Sequence, residues 1–116
     1  MPRSKATFRD IGTVTIVDLS GLLILGESTE VFRRAITDLM AKQRSKIILN
    51  FRDVKGIDSA GIGELIAFFT TLKGRDGHLK LLNPTQKISD MLALTRLSNV
   101  LQVYADEAVA IRSFDS

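Results

Sequence analysis

Two hydrophobic periods alternate along this chain, and their alternation restricts the fold more than any other feature. Residues 7–10 (Thr-Phe-Arg-Asp) and 13–19 (Thr-Val-Thr-Ile-Val-Asp-Leu) are β-rich runs around a short turn at Gly12. The second run sets Val14, Ile16 and Asp18 against Thr15, Val17 and Leu19, which predicts a strand buried on at least one face. From Ser28 the period changes. Val31, Phe32, Ala35, Ile36, Leu39 and Met40 form the stripe of an amphipathic helix, with Arg33, Arg34, Asp38 and Lys42 on its wet side. Ser28 or Thr29 is the expected cap, with Glu30 in the first turn, where the helix dipole favours an anion.

Residues 46–51 (Lys-Ile-Ile-Leu-Asn-Phe) lack polar alternation, as expected of a central strand covered on both faces. A loop is expected over residues 53–58, then a second helix with Ile62, Leu65, Ile66, Phe69 and Leu72 inward, ending at Gly74 and Gly77. Residues 79–82 read as a strand stopped by Asn83-Pro84, and a third helix starts at Thr85 with Ile88, Met91, Leu92 and Thr95 inward. Residues 101–104 form a last strand, and residues 106–114 a final helix with Ala108, Val109 and Ile111 as its apolar set. The order β-β-α-β-α-β-α-β-α predicts an α/β fold. Its sheet should be mixed but mostly parallel, with right-handed crossovers, helices packed on it, and an antiparallel N-terminal strand set by the tight turn. No linker or repeat divides residues 1–116, so one domain is expected.

Composition removes several classes of function. With 116 residues, 45% of them hydrophobic, the chain can bury roughly two-thirds of its unfolded surface and needs no metal or disulfide staple. There is no cysteine, which excludes thiolate zinc sites and cysteine nucleophiles. His78 is the only histidine, so no Ser-His or multi-His site can be assembled, and a loop or strand-edge role is expected for it. The acidic residues show no paired-carboxylate spacing, and no Gly-rich nucleotide-binding motif is present. Met40 and Met91 read as core, and Asp106-Glu107 as a helix start. The net charge of +3 is spread without a basic run, and one Tyr with no Trp offers no stacking platform, so nucleic acid is not an expected partner. Neither a signal peptide at Met1 nor a stretch of about 20 apolar residues is present, which predicts a soluble cytoplasmic protein without membrane insertion. These features predict a protein that is not an enzyme and that carries no cofactor or metal.

The chemistry concentrates in residues 55–65 (Lys-Gly-Ile-Asp-Ser-Ala-Gly-Ile-Gly-Glu-Leu), where the central strand gives way to the second helix, at the strand ends where open α/β sheets place their sites. Gly61 and Gly63 within the first turns each cost about 1 kcal/mol against alanine, so either something approaches this backbone or the helix packs closely on the sheet. At the helix start Ser59 can be phosphorylated without unfolding the domain, since first-turn amides and the dipole would hold the phosphate. The added charge would stand beside Asp58, on a surface that otherwise reads as small and apolar, and would repel a docked partner. A plainer reading is that Asp58 or Ser59 only caps the helix. A phosphoaccepting aspartate at Asp53 is the nearest different mechanism, but it needs an acidic pair for Mg²⁺, and the earlier strand offers only Asp18.

Asp58-Ser59-Ala60-Gly61-Ile62-Gly63 resembles the Asp-Ser-Ser/Thr/Ala-Gly-Leu/Ile-Gly signature of the STAS family, whose soluble bacterial members are anti-sigma factor antagonists. The likeness extends to Val-Thr-Ile-Val-Asp-Leu-Ser-Gly at residues 14–21, to the 46–51 strand and to Leu81-Leu82-Asn83. It implies a partner-switching protein that binds an anti-sigma factor, itself a serine kinase, while Ser59 is unmodified. The kinase phosphorylates Ser59, and a PP2C-type phosphatase resets it. Asp58, Ser59, Gly61, Ile62 and Gly63 would form the docking surface of a monomer or weak dimer. Ala60 stands where many members have a second hydroxyl, leaving Ser59 the only acceptor in the motif. Residues 22–27 (Leu-Leu-Ile-Leu-Gly-Glu) replace the common Gly-x-Leu-Asp after Gly21, which bears on partner identity. The alternatives are a STAS scaffold subunit of a stress-signalling complex, an accessory subunit of a lipid transporter, or a small-ligand-binding domain using the same crevice.

Overall fold

The computed structural model describes residues 4–24, 26–96 and 99–115, those at 27–29 by their backbone alone. The elements follow the expected order: β1 (Ser4–Ile11), β2 (Val14–Leu23), α1 (Glu27–Ala41), β3 (Lys46–Ile57), α2 (Ser59–Gly74), β4 (His78–Leu82), α3 (Gln86–Leu94), β5 (Gln102–Tyr104) and α4 (Glu107–Arg112), which runs into a 3₁₀ turn at Ser113–Asp115. The five strands lie in sequence order in one sheet, β1 antiparallel to β2 and every later pair parallel. Gly12, at φ 61, makes the β1–β2 turn possible.

Both faces of the sheet are covered, which is why β2 and β3 are so apolar. Val17, Leu19, Ile47, Leu49 and Phe51 point to the side occupied by α1, α2 and α3, where Phe32, Leu39, Leu65, Phe68, Ile88 and Leu92 meet them. Val14, Ile16, Ile48 and Leu82 point to the other side and are covered by Ala110 of α4. The expected inward stripe of α1 holds, and Met40 and Met91 pack against the first core.

Several local expectations are corrected. Residues 53–57 form strand instead of loop, because β2 also runs on to Leu23 and pairs with them: Ser20 with Asp53, Gly21 with Val54, Leu22 with Gly56 and Leu23 with Ile57, across two irregularities in register. The cap of α1 is Gly26, at φ 106, with no side-chain cap bond; Ser28 and Thr29 fall inside the helix. In α2 the inward residue is Phe68, whereas Ile66 is exposed and Phe69 only half-buried. Thr85 caps α3 by accepting from the Ile88 amide at 3.3 Å, but Thr95 lies just past the helix end and is exposed. In α4 Ala110 is inward, with Ile111 partly buried, while Ala108 and Val109 are exposed.

Arg9 links α4 to the sheet from the same side that buries Ala110 and Ile111. Its Nη2 donates to Glu107 Oε1 at 2.6 Å and its Nη1 to Oε2 at 3.2 Å, and Ala110 and Ile111 follow Glu107 on one helix face at helical spacing. The same guanidinium holds Asp18 of β2 bidentately, Nε to Oδ2 at 2.6 Å and Nη2 to Oδ1 at 3.0 Å, and Asn50 of β3 adds a bond from Nδ2 at 2.8 Å. One side chain thus ties β1, β2 and α4 together.

The Arg9 hydrogen bonds, helped by Asn50, hold the Asp18 carboxyl below its ordinary range against the opposing effect of burial. Its folded pKa being depressed, this group stabilises the fold above the unfolded pKa and loses that contribution as pH falls through the folded value. Arg9 is 41% exposed, so solvent screening limits the expected loss in Asp18→Asn to about 1 kcal/mol at neutral pH. Urea unfolding at pH 7 and at pH 3 checks this: the gap between wild type and variant is expected to narrow at the lower pH, and an unchanged gap would refute the assignment.

Candidate functional site

The site is built where β3 hands over to α2. Ile57 is the last paired residue of β3, opposite Leu23, and the next amide, of Asp58, donates to the Leu23 carbonyl at 3.2 Å. Asp58 is extended, φ −112 and ψ −172, which aims its carboxylate back over the first turn of α2. Oδ1 accepts from the amides of Ala60 at 3.0 Å and Gly61 at 3.1 Å, and the Asp58 carbonyl accepts the first helical bond, from Ile62, at 2.9 Å. Asp58 is therefore the cap, and the choice between Asp58 and Ser59 that the sequence leaves open is resolved.

Ser59 is the first residue of α2, is exposed, and makes no side-chain hydrogen bond to any described residue. This corrects the expectation that first-turn amides are available to hold a phosphate on Ser59: those of Ala60 and Gly61 are engaged by Asp58. The residue is exposed, and no side-chain hydrogen bond of the described fold uses its hydroxyl.

The two glycines have different reasons. A Cβ on Gly61 would overlap the Leu23 carbonyl oxygen and come within 2.6 Å of Ile57 Cγ1, so the first turn of α2 lies directly against the ends of β2 and β3. A Cβ on Gly63 would meet nothing within 4 Å. Of the five residues expected at the docking surface, Ser59 and Gly63 are exposed and Asp58 is half-buried, whereas Gly61 is buried and Ile62, 6% exposed, belongs to the core.

Sequence reasoning did not single out the continuation of this surface. At about 100° per residue, positions 63, 66, 67 and 70 follow 59 along one helix face. Gly63, Ile66, Ala67 and Thr70 are all exposed there, an uncharged strip in which Ile66 is 39% exposed. The available signal was that Ser59–Gly74 carries only two charged residues, Glu64 and Lys73, few for a surface helix. Beside the strip Arg33 of α1 donates to Glu64 at 2.7 Å, linking the two helices.

The other candidates are not brought into a site. Asp53 is exposed on β3, and Asp18 is committed to Arg9 and Asn50. His78 is exposed at the start of β4, its amide donating to the Ser45 carbonyl at 2.7 Å. An open cavity of about 650 Å³ lies at that end of β4, bordered by Phe69, Lys73, His78 and Gln102, away from Ser59. Among the described residues no group of three His, Asp or Glu could hold a metal, and no helix is long and apolar enough to cross a membrane.

A five-stranded mixed sheet covered by helices, with a capped helix opening on an exposed serine, defines a small α/β domain. The chain belongs to the STAS domain family, whose model matches residues 5–110. A Thermotoga maritima protein provisionally named as an anti-sigma factor antagonist is 28% identical over 79 residues, covering 67% of this chain and 70% of its own length. The anti-sigma-B factor antagonist of Bacillus subtilis is 28% identical over 78 residues, covering 67% of this chain and 71% of its own. In fold, the chain is similar to an anti-sigma factor antagonist from Mycobacterium paratuberculosis, with TM-score 0.87 and 18% identity over 97% of this chain and 95% of that one. It is also similar to the Bacillus cell fate determinant SpoIIAA in its phosphorylated form, with TM-score 0.76 and 22% identity over 94% of this chain and 98% of that one.

The two glycines provide a paired test. Gly61→Ala is expected to destabilise by about 1–3 kcal/mol or more, since the obstacle is backbone, and Gly63→Ala to stabilise by up to about 1 kcal/mol. Thermal and urea unfolding of both variants measure it. Equal effects would contradict the packing of α2 described above.

Proposed function

We propose that this protein is an anti-sigma factor antagonist that works by partner switching at Ser59. It binds an anti-sigma factor with serine-kinase activity while Ser59 is unmodified, and releases it once Ser59 is phosphorylated. The observation that carries this reading is the Ser59 hydroxyl itself, exposed at the mouth of α2 and uninvolved in the hydrogen bonding of the described fold. A kinase can reach such a group, and modifying it breaks none of the described side-chain bonds. The names of the Thermotoga and Bacillus relatives point the same way.

The mechanism is electrostatic. The unmodified surface from Ser59 along Gly63, Ile66, Ala67 and Thr70 is uncharged and can be buried against a partner at little desolvation cost. Phosphorylation places about −1.5 to −2 charges at its end. Asp58, half-buried beside it, adds a further negative charge, and a partner surface shaped for a hydroxyl must then desolvate this group or leave. The protein itself performs no catalysis: the kinase partner supplies the phosphoryl transfer, and a PP2C-type phosphatase restores the hydroxyl. The protein acts in the cytoplasm, where sigma factors work, as a monomer or weak dimer.

Affinity capture from the host's extract with wild type, Ser59→Ala and Ser59→Asp tests the switch, with captured proteins identified by mass spectrometry. Wild type and Ser59→Ala are expected to retain a kinase-type anti-sigma factor. Ser59→Asp, still folded because an anion is tolerated at a helix start, is expected to bind it on the order of a hundredfold more weakly. Equal capture by all three proteins would defeat the reading, and circular dichroism of Ser59→Asp guards against a folding artefact.

A further inference from the structure

The chemistry at the start of α2 sets two anions in competition. A phosphate on a first-turn serine ordinarily gains from free amides and from the positive end of the helix dipole. Here Oδ1 of Asp58 already accepts from Ala60 N at 3.0 Å and Gly61 N at 3.1 Å, and Ile62 N is in the helical ladder at 2.9 Å. The cap is also mechanically fixed, because the Asp58 amide bonds the Leu23 carbonyl, and Gly61 is pressed against Leu23 and Ile57. The carboxylate therefore stays near its amides when the neighbouring residue is modified.

We propose that Asp58 is a positioning residue for the switch: by holding the amides of Ala60 and Gly61 it refuses them to a phosphate on Ser59 and keeps that phosphate in solvent. This deepens, and rests on, the reading of Ser59 as the modified residue. The consequence is functional. A phosphate folded into the helix start would be partly neutralised and hidden from a partner, whereas one held outward presents its full charge to whatever docks, and lies open to the phosphatase that removes it. The two negative groups also repel, so the modified state is less stable than the unmodified one and its phosphate takes its second proton more readily.

The test needs no partner, so its outcome is independent of the capture experiment. Phosphoserine is placed at position 59 of the full chain during translation, in the wild-type background and with Asp58→Asn or Asp58→Ala. The second ionisation is followed by ³¹P NMR and the amides of Ala60 and Gly61 by ¹⁵N NMR. In the Asp58 protein the phosphate is expected to titrate above the usual value of about 6, with the Ala60 and Gly61 amides hardly responding. Asp58→Asn keeps a capping oxygen and removes only the charge, so the titration is expected to drop by about half a unit or more. In Asp58→Ala the freed amides are expected to follow the phosphate titration, and phosphorylation should raise the melting temperature of that variant while lowering that of the Asp58 protein. The proposal is overturned if Ala60 and Gly61 track the phosphate in the Asp58 protein, or if the titration is the same in all three backgrounds. Should the Asp58→Ala variant fail to fold, the Asp58→Asn comparison decides alone.

Discussion

The contact of the first turn of α2 with the ends of β2 and β3 is the constraint on which the rest of the site depends. Gly61 occupies a position where any side chain would strike the Leu23 carbonyl and Ile57, and this close approach fixes how α2 is rotated about its own axis. With about 100° between successive residues, Ser59 lies roughly 200° round the helix from Gly61, on the face turned away from the sheet. Leu65, Phe68 and Leu72 follow Gly61 into the core, and Gly63, Ile66, Ala67 and Thr70 follow Ser59 to the surface. The exposed hydroxyl is thus a geometric consequence of a buried glycine.

That arrangement divides labour between neighbouring residues. Asp58 carries the structural duty of starting the helix, through two amide bonds to its carboxylate and one from its own amide to β2. Ser59, relieved of that duty, can be chemically altered while the fold persists. A serine serving as the cap itself would exchange its amide bonds for phosphate–amide bonds on modification, and signalling would be coupled to the stability of the helix start. On the opposite face of the sheet Arg9 fixes α4 over Val14, Ile16 and Ile48, giving the strands that present the site a second covered side.

The order and type of every element were legible in the sequence because strand runs such as 46–51 and helical stripes such as 31–40 obey local periodicities. The errors arose where long-range pairing overrides local signals. Residues 53–57, with Asp53, Lys55 and Gly56, look like a loop until β2 is seen to extend alongside them. Ile66 and Phe68 are equally apolar, so only the pinning of Gly61 decides which faces inward. Arg9 and Glu107 are 98 positions apart, and no local pattern announces that they meet. At the site, the motif 58–63 located the residues, but residue type alone could not separate Asp58 as cap from Ser59 as the open group, nor show that Ile62 is interior.

The central claim is that Ser59 is the hydroxyl at which this protein is switched. Phosphopeptide mapping of the protein isolated from its own cells, across growth and stress conditions, addresses it most directly. The expected result is a phosphate on the peptide containing Ser59 whose occupancy changes with conditions. Phosphate only on other hydroxyls, such as Thr70 or Ser113, or none at Ser59 under any condition, would contradict it.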